Sequence, residues 1–216
     1  MQFPFKVYIV NHEGGHSTFL GQLVKMYDVL VPYPAKTDRE AILAAAMQQA
    51  EEEGADALSI RGVATKLGIA PNALYRYFGS LSDLRGAVSE ESQRRLLSAM
   101  QAGVGRKGPG EAIRAIAQAY LRFARESPHA FATTLHPSNV EGDDAAHSQS
   151  WRFVVAQVAR LYGDERAAEA AVALWAFLHG MTVLERAGVL GGAKPSAGFD
   201  LGLKLWITGA AADGAD

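Results

Sequence analysis

Apolar positions recur at helical spacing twice between residues 59 and 78, with a break between the two runs. Val63, Ala64 and Leu67 form the inner face of one predicted helix, and Leu74 and Phe78, four apart, that of a second. Ser59 is placed to cap the first helix, and Gly68 to close it in left-handed geometry. Ile69 anchors the bend, and Pro71 suits the first turn of the next helix, where its missing N–H costs nothing. The pattern predicts a helix-turn-helix. Its second helix has two chemically different sides. Asn72, Tyr75 and Arg76, at i, i+3 and i+4, share the face opposite the apolar one, and Tyr77 lies between the two. An amide, a phenol and a guanidinium on one exposed face suit phosphates and base edges. The bend alone fits a solvated helix of an ordinary bundle equally well.

The rest of the chain reads as helices on either side of this element. Thr37 or Asp38 caps a helix whose inner face is Ile42, Leu43, Ala46 and Ala50, and Gly54 ends it. Downstream, Ser82 and Asp83 open a longer helix through about Met100, and the glycine-rich, basic residues 103–110 predict a loop. Ile113, Ile116, Tyr120 and Phe123 keep the helical period until Ser127-Pro128 breaks it. A short helix carrying Phe131 follows, then a loop over residues 136–146. Trp151, Val154, Val155, Val158 and Leu161 make the next apolar stripe. Residues 167–186 are apolar on nearly all sides, which in a chain of 216 residues predicts a partner subunit. A last helix with Phe199, Leu203, Leu205, Trp206 and Ile207 follows a loop over 188–198.

Residues 1–35 differ. Residues 3–10 favour a strand, residues 19–31 an amphipathic helix ended by Pro32 and Pro34. Between them, His12-Glu13-Gly14-Gly15-His16 fits the pattern of a zinc hydrolase, which needs a helix to bring both histidines to one face. Adjacent glycines oppose that helix, each by about 1 kcal/mol relative to Ala. No third ligand follows at a suitable spacing, so no metal is expected.

Composition narrows the classes. The chain is 49% apolar and 20% charged, enough for a buried core in a soluble protein. Net charge is −2, so no global field draws it to nucleic acid, but Arg61, Lys66 and Arg76 occur with no acid between Ser59 and Ser82. Glu51, Glu52 and Glu53 are expected to point to solvent. With no cysteine there is no disulfide or thiol chemistry. No signal peptide and no apolar run near the roughly 20 residues of a membrane span are read, so the expected location is cytoplasmic. No nucleophile elbow, phosphate loop or carboxylate pair argues for a catalytic site, and no cofactor is implied.

Two readings remain open for the C-terminal half. Trp175, His179, Thr182 and Arg186 lie on one side of a helix. With Tyr120, Phe123 and Trp151 they fit a pocket for a mostly apolar or aromatic small molecule, with His179 and Thr182 as its polar groups. They fit equally a packed Trp with a hydrogen-bonded His at a helix contact.

Gly54, Ser59, Arg61, Ala64, Gly68-Ile69-Ala70, Leu74-Tyr75-Arg76-Tyr77-Phe78, Ser80 and Leu84 together resemble the DNA-binding domain of TetR-family transcriptional regulators. The resemblance runs from about residue 37 to 84, and Leu-Tyr-x-x-Phe is its most specific piece. Trp175, His179 and Gly180 match the Trp–His–Gly signature of one class of C-terminal domains in that family. The resemblance implies an all-α protein: an extension over 1–35, a three-helix DNA-binding domain over 36–84, and a larger helical effector-binding and dimerisation domain over 85–216. It implies contacts to double-stranded DNA from Ser59, Arg61, Asn72, Tyr75, Arg76 and Tyr77. The expected function is a homodimeric, ligand-responsive repressor of a palindromic operator, not an enzyme. Three positions depart from the family: Ala70 for a usual Ser or Thr, Asn72 for a common Gly, and Leu81 for a backbone-gripping Lys. The alternatives are a sensor that no longer binds DNA and a zinc-dependent hydrolase using residues 12–16.

Overall fold

Asp38 accepts the amide of Ala41 at 2.8 Å and starts α1 (Arg39–Glu53), which Gly54 ends at φ 94°. Ser59 accepts the Gly62 amide at 3.1 Å and starts α2 (Ile60–Leu67), and Gly68 closes it in the left-handed region at φ 65°, ψ 31°. The computed structural model describes residues 37–135, 145–190 and 195–213, which belong to one compact unit beginning at Lys36. The expected strand, the His-Glu-Gly-Gly-His stretch, the amphipathic segment 19–31 and most of the loop 136–146 lie outside them. Among the described residues every regular element is helical.

The second element of the bend, Pro71–Arg76, is a 3₁₀ helix rather than an α-helix. Ala70 offers it no side-chain cap, and a tighter helix of three residues per turn results. α3 (Leu81–Val104) starts at Ser80, whose hydroxyl takes the Asp83 amide at 3.0 Å, not at Ser82 as expected. It also runs past Met100. Gly103 stays helical because α4 (Pro109–Glu126) comes so close that a Cβ there would stand 3.3 Å from the Ala115 carbonyl oxygen. The predicted 103–110 loop shrinks to residues 105–108.

α5 (Pro128–Thr133), α6 (Ala146–Tyr162), α7 (Ala167–Arg186) and α8 (Pro195–Asp213) complete the chain. α8 begins earlier than its glycines suggested. Gly202 lies inside it against the Phe177 ring, 2.5 Å from where a Cβ would be, so the glycine permits close packing on α7.

Two hydrophobic cores result. Ile42, Ala46, Val63, Leu74, Phe78 and Leu84 fill the first, which joins α1, α2, the 3₁₀ helix and the start of α3. Leu96, Met100, Ile113, Ile116, Leu174 and Leu178 lie in the second, which joins the rest of α3 to α4, α6, α7 and α8. Phe123 packs against both. Cross-links reach between them: Glu51 of α1 accepts the Ala130 amide of α5 at 3.0 Å, and Thr133 donates to Ser92 at 2.8 Å.

α7 corrects the expectation about membrane spans. It is 20 residues long with a mean hydropathy of 1.5, apolar enough by length and composition to cross a bilayer. Ala171, Leu174 and Leu178 are nevertheless buried in the second core. Its outer side, with Val172, Trp175, Val183 and Leu184, is exposed, and Leu201 and Leu205 continue that apolar surface on α8.

Candidate functional site

The exposed side of the 3₁₀ helix carries Asn72, Tyr75 and Arg76, with Arg61 of α2 also exposed. Leu74 and Phe78 are buried on the other side, at 0% and 2% exposure. At three residues per turn Asn72 and Tyr75 eclipse, and Arg76 is turned about 120° from Tyr75. Among the described residues no side-chain hydrogen bond or ion pair engages Arg61, Asn72, Tyr75 or Arg76. The Tyr75 side chain is left 51% exposed.

Ser59 and Tyr77 are placed differently. The Ser59 hydroxyl is occupied as the α2 cap, and the Tyr77 hydroxyl donates to the Thr37 carbonyl at 2.6 Å, tying the segment before α1 to the bend. Lys66 pairs with Glu52 at 2.5 Å, and that hydrogen bond holds the Glu52 carboxyl below its ordinary range. The three acids at the end of α1 thus have partners, although Glu52 and Glu53 stay exposed as expected. Glu51 caps α5, Glu52 neutralises Lys66, and Glu53 accepts from Gln49. The unpaired basic groups reduce to Arg61 and Arg76.

The second site is a cavity of about 80 Å³ between α3, α4, α6 and α7. Its apolar wall includes Leu96, Met100, Ile116, Val154, Leu174 and Leu178. Leu135, His147 and Trp175, all exposed, form its rim. Among the described residues no Asp, Glu, Lys or Arg lines it.

Of the residues expected to bind a ligand, Tyr120, Trp151 and Trp175 line this cavity. Phe123, His179 and Thr182 do not. Phe123 wedges between the two cores, Thr182 donates to the Leu178 carbonyl at 2.8 Å, and His179 Nδ1 lies 3.0 Å from the Tyr120 hydroxyl. His179 also stacks on Phe131 at 5.9 Å. The Trp175–His179 pair thus extends the aromatic packing behind the cavity. Burial pushes the Tyr120 phenol up to about 12, so it stays neutral.

Sequence reasoning missed the polar groups that the cavity does hold. Gln93 of α3 places its amide nitrogen 3.1 Å from His147 Nδ1, and Ser150 lies one turn further along α6. Gln93 Oε1 and Ser150 Oγ are buried without a hydrogen-bond partner. Each such atom costs about 1–3 kcal/mol. The available signal was Gln93 sharing an inward face with Leu96, Leu97 and Met100 at i, i+3, i+4 and i+7.

A small helical head with an exposed polar reading face, joined by one long helix to a larger bundle, defines a DNA-binding regulator of the helix-turn-helix class. Residues 42–88 match the profile of bacterial regulatory proteins of the tetR family. Residues 113–204 match that of the tetracyclin repressor-like C-terminal domain. An HTH-type transcriptional regulator of Mycobacterium tuberculosis, Rv0681, is 34% identical over 186 residues, 81% of this chain and 83% of that one. The transcriptional regulator SCO7222, a TetR from Streptomyces coelicolor, shares the fold with a TM-score of 0.65 at 20% identity, covering 82% of this chain and 99% of that one. A TetR variant from Acinetobacter baumannii AYE, in complex with minocycline, has a TM-score of 0.62 at 19% identity, covering 81% and 96%. The protein belongs to the TetR family of DNA-binding transcriptional regulators.

Proposed function

We propose that the protein is a cytoplasmic, homodimeric repressor that reads an inverted-repeat operator and releases it when a small, mostly apolar effector binds. The observation that carries the DNA reading is the partner-free face of Arg61, Asn72, Tyr75 and Arg76 on a well-packed bend. Two such faces related by a two-fold axis meet successive major grooves about 34–36 Å apart. Ser59 and Tyr77 support the reading face from behind, as cap and tether.

The dimer reading rests on the outer sides of α7 and α8, where Val172, Val183, Leu184, Leu201 and Leu205 are 42–61% exposed. A second copy covering this face removes it from water. The cavity beside α3 is the effector site, a reading supported by the Acinetobacter relative's being in complex with minocycline. In this reading residues 36–84 read DNA, residues 85–216 dimerise and sense, and residues 1–35 are an accessory extension.

Selecting bound fragments from genomic DNA tests the reading. The expected result is an inverted repeat at a promoter, bound by a dimer. Recovery of no enriched sequence by a folded dimer overturns it in favour of a sensor without DNA binding.

A further inference from the structure

The cavity specifies more about its ligand than size. Of its polar wall groups, Tyr120 is held against His179, and Thr134 donates to the Phe131 carbonyl at 2.7 Å. Gln93 spends its amide nitrogen on His147. That leaves Gln93 Oε1 and Ser150 Oγ unpartnered, on side chains of residues only 9% and 7% exposed, in a wall with no Asp, Glu, Lys or Arg among the described residues.

Building on the assignment of this cavity as the effector site, we propose that the effector is an uncharged molecule whose head both donates and accepts hydrogen bonds, a primary amide or an alcohol, seated on Gln93 and Ser150. A carboxylate or ammonium there would lose its hydration with no opposite charge to meet it. An amide or hydroxyl instead satisfies two atoms that the empty cavity leaves bare. A head that donates and accepts serves either orientation of the Gln93 carboxamide, and the Ser150 hydroxyl can take either role. The volume sets the size. At about 80 Å³ the cavity is smaller than the roughly 150 Å³ void that takes benzene. It therefore holds the head and the first carbons, and the remaining chain leaves over the rim formed by Leu135 and Trp175.

The seat also lies on the helix that enters the DNA-reading core. Leu84 and Val88 of α3 are packed in that core, and Gln93 is five residues beyond Val88. A head bound to Gln93 Oε1 sits on the same carboxamide whose nitrogen meets His147, and so adjoins the contact between α3 and α6.

Trp151 and Trp175 in the wall make binding visible as a change in tryptophan emission of the full-length protein. The probes are butyramide, n-butanol, butyrate and n-butylamine, followed by their six-carbon homologues. Amides and alcohols are expected to give saturable changes, and carboxylates and amines none. Gln93→Leu and Ser150→Ala, each checked for helicity, should each weaken amide binding about 10-fold. Equal binding of the charged homologues, unchanged amide affinity in both variants, or silence of every neutral probe would overturn the proposal. Operator binding measured on the same samples separates the two ideas. Amides that bind at Gln93 without releasing DNA leave the seat standing and remove its role as effector site. Released DNA with no dependence on Gln93 or Ser150 keeps the regulator and removes the seat.

Discussion

The Tyr120 phenol should make the protein measurably weaker in alkali, by an amount the structure sets. Burial raises it to about 12 from the ordinary 10. Above pH 10 the unfolded chain loses this proton while the folded chain keeps it, so the folded state binds more protons and stability falls as pH rises. The loss is absent at pH 8, on the order of 1 kcal/mol at pH 11 and on the order of 3 kcal/mol well above pH 12. Tyr120→Phe removes the titrating group and keeps the ring against Phe131, with which it makes an edge-to-face contact at 5.2 Å. The variant loses the hydrogen bond to His179, worth about 1 kcal/mol at neutral pH. Urea unfolding at one fixed protein concentration, from pH 8 to pH 11, should therefore show the wild type ahead at pH 8 and its advantage gone at pH 11. Parallel curves for the two proteins across that range would refute the argument, because every other titrating group is common to both.

Gly62→Ala should destabilise the head by about 1–3 kcal/mol, since a Cβ there falls 2.2 Å from the amide nitrogen of the buried Gln49. Adding Gln49→Ala should return part of that loss in thermal unfolding; a fully additive double variant contradicts the clash. Arg76→Ala and Asn72→Ala should each cost about 1–3 kcal/mol of operator affinity and relax one position per half-site. Competition with single-base operator variants reads this, and unchanged preference in both would reassign the face. Leu205→Glu should leave helicity intact and convert the dimer to monomer in sedimentation, because Leu205 is 61% exposed and touches no core. A dimer that survives the charge places the interface elsewhere.

The bend was readable because local chemistry decides it. Ser59, Gly68 and Pro71 act through their own backbone positions, and the structure keeps each in the expected role. Tertiary approach decides what was misread. Gly103 looks like a loop residue in isolation, yet it lies inside α3, where the Ala115 carbonyl oxygen comes within 3.3 Å of the place of a Cβ. The cavity shows the same division. Helical period places Tyr120 on an inward face but does not say that Gln93 and Ser150, from helices far apart in sequence, line the same hollow. His179 was expected as a polar group of the pocket wall, and its Nδ1 lies 3.0 Å from the Tyr120 hydroxyl.

α3 runs unbroken for 24 residues, with Leu84 and Val88 set in one core and Leu96 to Val104 in the other. Such a helix works as a gear shaft of fixed phase. One residue inserted between Ser89 and Arg95 would turn everything upstream by about 100° and advance it about 1.5 Å. Either the reading face or the contacts of α1 and α5 would then be lost. Seven inserted residues return to within about 20° of the original phase, though at a height where Glu51 no longer reaches Ala130. The residue count of this helix is thus fixed by both packings at once, whereas its solvent side answers to neither.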